Sequence, residues 1–297
     1  MKERHSHRRR FHGRGFHRRH IEEGIVKSLM ILSFLLLAGS LGFILITILI
    51  KGLPALNWDM LTKTPQGGFY LGKEGGILNA IIGSLYLAGG ATLLAILISL
   101  PLALYLGTYV RRARWADFVR LSMDILWGIP SIVYGAFGFT IMLALGMRAS
   151  LLAGILVLTL LEFPIMTRAI EEVVRMVPHD LEQASYALGS TRLETALRVV
   201  TRQMLPGIAT AILLAFGRGI GDAASVLFTA GFTDRIPTSL FQPVASLPLA
   251  VFFQLSTPFP EVQQRAYASA LILTAIVLII SFGSRWLAAR LGRNIIK

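Results

Sequence analysis

The chain has no cysteine, which excludes disulfides, thiol catalysis and thiolate metal sites. Histidine is nearly confined to the first 20 residues, with His5, His7, His12, His17 and His20 there and His179 alone elsewhere. No Ser/His/Asp set, H-E-x-x-H zinc motif or G-x-S-x-G nucleophile elbow can be assembled from it. Nucleotide-binding motifs are also missing. Gly67 to Lys73 matches the first seven positions of a phosphate-binding loop, but Glu74 stands where a Ser or Thr must meet magnesium. Gly217, Gly219 and Gly221 imitate part of a dinucleotide fingerprint, yet they lie inside an apolar run, where small residues serve helix packing. The chain is therefore expected to be non-catalytic, with no cofactor or metal of its own. Any ATP and magnesium would belong to another polypeptide. Charge is scarce too: 15% of the 297 residues are charged and 54% hydrophobic, so the chain is an integral membrane protein rather than a soluble one.

What is present is apolar length. A span takes about 20 mainly apolar residues, and six runs qualify: 28–50, 77–106, 119–146, 150–167, 204–230 and 266–287. The expected fold is all-α and polytopic. Met147, Arg148 and Ala149 are all that divide the third run from the fourth, which predicts a tight hairpin. The first run, beginning near Ser28, is too long for a signal-peptide core and carries no clear cleavage site.

The formal charge of +13 suggests nucleic acid until its placement is read. Segments 1–27, 107–120, 168–203 and the end from Arg285 hold 22 of the 29 Lys and Arg, whereas 51–76, 147–149 and 231–265 hold six. Arg218 is the remaining one. This alternation is the positive-inside pattern, which puts both termini and 168–203 in the cytoplasm. The segment 1–27, with Arg8-Arg9-Arg10, has too little apolar content to fold and reads as a disordered tail preceding a membrane domain over 28–297. It serves as an orientation signal, as a binder of anionic lipid, or as a histidine-based metal site. Loop 51–76, with Pro54, Pro65 and its glycines, is expected to be an ordered turn region outside the cell.

Two features carry chemistry. The first is the water-compatible stretch Pro178 to Thr201 within a cytoplasmic region of about 176–203. It reads as two short amphipathic helices bent at Gly189. Leu181, Ala184, Ser185 and Leu188 share a face in the first half; Leu193, Ala196, Leu197 and Val200 share one in the second, after a Thr191/Glu194 capping box. Such a pair either docks a soluble partner or lies on lipid. The second is Arg218, 14 residues into the fifth run from Met204, hence about 21 Å deep and past the midplane. Asp222 lies four residues on, on the same helical face. The two either lock helices together as an ion pair or present a guanidinium to a translocated anion, with Asp222 holding Arg218 in place. Glu162 is the other intramembrane acid. Two residues before Pro164, it snorkels, pairs with Arg168 or lines a path.

These segments resemble the permease subunits of binding-protein-dependent ABC importers. Their signature of Glu-Ala-Ala, three residues, Gly and a later Leu-Pro is similar to Gln183-Ala184-Ser185, Gly189 and Leu205-Pro206, with Glu182 adjacent. Gly52-Leu53-Pro54-Ala55-Leu56, Gly128-Ile129-Pro130-Ser131 and Gly217-Arg218-Gly219-Ile220-Gly221-Asp222 resemble, more narrowly, the A-type permeases of phosphate importers. In those the last string usually continues Gly-Glu-Thr-Ala-Pro, where this chain has Gly221-Asp222-Ala223-Ala224-Ser225. The resemblance implies a six-helix type I importer fold in a bacterial or archaeal plasma membrane. It also implies a second homologous permease, two ATP-binding subunits and an external phosphate-binding protein, with no nucleic acid. Glu182, Gln183, Ala184, Ser185 and Gly189 would then dock the ATPase, and Arg218 would stand on the phosphate path. A C-type phosphate permease, a permease for molybdate or sulfate, and a channel or receptor are the alternatives.

Overall fold

The computed structural model describes residues 14–66, 74–110 and 114–291. In chain order the helices are α1 (Arg14–Gly52), α2 (Trp58–Thr62), α3 (Leu78–Leu104), α4 (Arg114–Gly128), α5 (Ser131–Ala144), α6 (Leu151–Arg175), α7 (His179–Ala187), α8 (Arg192–Glu194), α9 (Thr201–Ile220), α10 (Leu247–Leu255) and α11 (Pro260–Leu291). Two-residue strands β1 (Pro65–Gln66) and β2 (Glu74–Gly75) pair antiparallel. The nucleotide-loop imitation at Gly67 to Lys73 lies outside the described residues.

Contacts divide the chain into two units, Met1–Ile50 and Lys51–Lys297. The first is represented by nearly all of α1. That helix begins at Arg14, so residues 14–27, which composition alone leaves unfolded, are helical from that point. Residues 1–13 lie outside the described residues. A helix that continues into a long apolar run needs no separate nucleus, which is how a basic segment of weak propensity joins it.

In the second unit α3, α6 and α9 form the central packing. α3 presents a stripe of small residues (Gly83, Ser84, Ala88, Ala91, Thr92, Ala95, Ser99) whose spacing lets another helix approach closely. The core falls into three apolar clusters strung along it. One gathers Ala80 with Met60, Ile77, Leu247 and Ala268; the next gathers Leu87 and Ala91 with Leu158 and Val226; the last gathers Ala95 and Leu104 with Met166, Ile170 and Ala215.

Among the described residues, five helices are long and apolar enough to cross a membrane, and α4 with α5 qualifies as a sixth only as a bent pair. The third run, expected as a span over 119–146, is broken in its middle. α4 and α5 meet at 97°, because Gly128-Ile129-Pro130 lies between them and proline disfavours helix in the residue before it. α4 is amphipathic, with Trp115, Phe118, Leu121 and Ile125 outward and Ala116, Arg120 and Met123 buried. The fifth span also ends early. It stops at Ile220, not near 230, and the chain turns back through 221–246. This segment, expected from residue 231 on to be an external loop, is deeply packed from Val244 to Ala250. Its backbone is answered tertiarily: Ser84 Oγ accepts from Leu247 N–H at 2.8 Å, and Asn79 Nδ2 donates to Thr233 O at 2.7 Å. In return Thr229, Gln242 and Leu240 carbonyls take the first N–H groups at the α6 N-terminus, those of Ser150, Leu151 and Leu152. The predicted hairpin between α5 and α6 is present.

Candidate functional site

α7 is a nine-residue helix whose first turn carries Asp180 and Glu182, the charge its N-terminal dipole favours. Its end is a Schellman motif: Ser190 N–H reaches Ser185 O at 3.2 Å and Gly189 N–H reaches Tyr186 O at 2.9 Å. Gly189 at φ +85° occupies the left-handed position that this motif requires. Thr191 then opens the next helix with the predicted capping box, Thr191 Oγ1 accepting from Glu194 N–H at 3.2 Å and Glu194 Oε2 accepting from Thr191 N–H at 2.9 Å. The bend is as expected, but its second arm is no separate short helix. α8 passes through a π-helical stretch, Thr195–Val200, straight into α9, so 192–220 is one continuous rod.

The face of α7 that meets the rest of the chain also differs from the predicted stripe. Glu182 and Ser185 are buried at 4% and 7% exposure, Glu182 against His179 and Ser185 Oγ 2.9 Å from Thr195 Oγ1. These two brace the bend from within. Gln183, Ala184 and Gly189 are exposed, as is Leu188 at 87%. Leu193 and Leu197 are exposed beyond the bend, while Ala196 and Val200 are buried. The hydroxyl pair decides the orientation, since Ser185 must turn toward Thr195.

Below this bend lies a cluster that sequence reasoning missed. Glu171, fully buried near the end of α6, accepts from Arg120 Nε at 2.6 Å, Arg168 Nη1 at 2.8 Å and Arg175 Nη2 at 2.9 Å. Asp117 pairs with Arg120, and Asp124 with Arg168. α4 is thereby tied ionically to α6. Arg168 serves Glu171 and Asp124, not Glu162 as its nearness in sequence suggests. The i, i+3 and i, i+4 spacings of Arg168 and Arg175 from Glu171 are readable in the chain, whereas Arg120 is 51 residues away.

At the other end of α9, Arg218 Nη1 donates to Asp222 Oδ1 at 2.9 Å. Asp222 is 4% exposed at its side chain and Arg218 43%. The second carboxylate oxygen accepts from Ser225 N–H at 2.8 Å, so Asp222 caps the turn that follows α9. Arg218 sits in the last turn of its helix, where the dipole favours a cation. It is exposed, as are Arg202, Leu205, Leu214 and Gly221, whereas Met204, Ile208, Ala211, Ala215 and Gly219 of the same helix are buried. Of the three glycines read as packing residues, Gly219 alone meets another helix: a Cβ there would collide with Glu162 Oε1. Glu162 itself is fully buried. Its Oε2 accepts from Thr92 Oγ1 at 2.8 Å. Among the described residues no group of three or more metal-ligating side chains is found.

Comparison with known proteins accounts for this arrangement. The phosphate transport system permease protein PstA of Haemophilus influenzae is 34% identical over 246 residues, covering 82% of this chain and 86% of that one. A MetNI methionine ABC transporter chain in an inward-facing conformation superposes with a TM-score of 0.61 at 20% identity, over 73% of this chain and 96% of its own. A chain of a bacterial alginate ABC transporter, solved with its alginate-bound periplasmic protein, also gives 0.61 at 11% identity, over 93% and 97%. Residues 99–297 match the family described as binding-protein-dependent transport system inner membrane component. The chain, with several apolar helices long enough to span, therefore belongs to that family of membrane-embedded permeases.

Proposed function

We propose that this chain is one permease half of an ATP-driven importer of inorganic phosphate. The observation that carries the reading is Arg218, a guanidinium on the open face of a helix that ends within its span. One N–H is fixed by a buried carboxylate, and the side chain is 43% exposed. A guanidinium fork suits the oxyanion of phosphate, and a charge at such depth needs either a partner or a polar path. Relatives that carry the name of phosphate transport permeases support the choice of anion.

The other half of the path is a second permease of the same kind, which faces Arg218 across the open side of α9. The bend at Gly189 seats in an ATPase subunit, touching it through Gln183, Ala184, Leu188 and Gly189, while Glu182 and Ser185 keep its shape. ATP and magnesium are bound there, one ATPase to each permease. Because 192–220 is one continuous helix, a push received at its start, three residues after Gly189, is passed along that helix to Arg218. An external binding protein hands over the anion on the side of α2 and the β1–β2 hairpin. The basic segments, with both termini and α7, face the cytoplasm.

The test is the intact complex in vesicles with its binding protein. Phosphate is expected to stimulate ATP hydrolysis and to be taken up, with sulfate and molybdate inert. Stimulation by either of these in place of phosphate would reassign the substrate.

A further inference from the structure

Glu162 lies at the seam of two apolar clusters, with Leu158 and Leu161 in one and Met166 and Ala215 in the other. Its Oε2 is held by Thr92, but its Oε1 has no hydrogen-bond partner and rests against the backbone of Gly219. No ion pair reaches it among the described residues. A carboxylate buried this way is costly unless a cation answers it. The cation at hand is Arg218, the neighbour in the chain of Gly219, where Glu162 Oε1 lies. Arg218 meanwhile uses a single N–H on Asp222. The helix end that carries it, Gly217-Arg218-Gly219-Ile220-Gly221, has open space at Gly217 and only its own carbonyls near Gly221.

We propose that Glu162 is a second counter-ion for Arg218, a positioning residue that receives the guanidinium when it leaves Asp222 during the transport cycle. Two acids, one on α6 and one just past α9, then bracket one cation, which is never left bare in the membrane as the helices rock. The absence of a side chain at Gly219 is what admits Glu162 to the α9 backbone. The inference deepens the reading of Arg218 as the group that meets the anion and rests on it.

The experiment is a double-mutant cycle on thermal unfolding of the purified complex, with Glu162→Gln, Asp222→Asn and both. Asparagine still offers an oxygen to Ser225 N–H, so the cap survives the loss of charge. The double substitution is expected to destabilise by about fivefold or more beyond the product of the singles in the unfolding equilibrium, as for residues sharing one ion network. Repeating the cycle with Arg218→Ala should abolish that excess. Additive singles with Arg218 in place, or an excess that persists without it, overturns the proposal. Failure of only the double to assemble is the same coupling in the extreme, provided that Arg218→Ala restores assembly; otherwise it too counts against. Phosphate uptake by the unsubstituted complex is a separate arm, since its absence would sink the substrate assignment and leave the unfolding cycle intact.

Discussion

Asp222 uses each of its two oxygens: one caps the turn after α9 and the other fixes Arg218. A bare arginine at this depth would be driven to snorkel or pair with the wrong group, so the acid is part of the site even if it never touches the anion. Arg218→Ala is expected to abolish phosphate uptake while the complex still assembles, since the Arg218 side chain is 43% exposed and Asp222 keeps its bond from Ser225 N–H. Normal uptake in vesicles would remove Arg218 from the path. Glu171 is the opposite case, structural and unforgiving. Glu171→Gln leaves three arginines around a neutral amide, although each keeps another acid nearby. A loss of about 3 kcal/mol is expected, at the low end for breaking a buried ion network. An unchanged unfolding midpoint would show the network to be dispensable. The charge and approximate depth of Arg218 were legible in the chain. The burial of Glu171 was not, because Arg120 comes from α4, which composition had merged into a straight span.

The decisive element is the α7 bend. Gly189, its φ of +85° and the two Schellman bonds make the turn, and the Thr191 capping box restarts the helix two residues later. Gly189→Val places a β-branched residue in the left-handed region at a cost of about 2 kcal/mol, which is relieved by opening the bend. ATP hydrolysis is then expected to continue while uptake falls, and a variant in which the two remain coupled would rule out docking at this bend. The capping box and the glycine were readable because both are local in sequence. The orientation of α7 was not, since nine residues give a weak stripe and the Ser185–Thr195 contact overrode it. Likewise, one arm of the bend was read as a short helix because polar residues at 192–202 hid its continuity with α9.

For the whole molecule, the proposed orientation follows from 22 basic residues on one side against six on the other. The cysteine-free chain is a clean background for labelling. Ser190→Cys should react with an impermeant maleimide only in inside-out vesicles, and Thr64→Cys only in right-side-out ones. The reverse pattern would invert the topology and move the α7 bend away from any cytoplasmic ATPase.

Apolar run length, the sorting of Lys and Arg, and helix stops such as Gly189 depend on neighbours within a few residues, so the amino-acid order already contains the membrane class, the expected sidedness and the place of the bend. The 97° break at Pro130 was implicit there, but apolar count outweighed it. The early end of α9, the burial of α10 and the approach of Glu162 to Gly219 are another matter. They exist because side chains 50 to 160 residues apart supply the hydrogen bonds and the space that make them possible, as Ser84 does for Leu247 across 163 residues. Polar groups withdrawn from water must find partners wherever the packed helices bring them, and that matching is settled only in three dimensions.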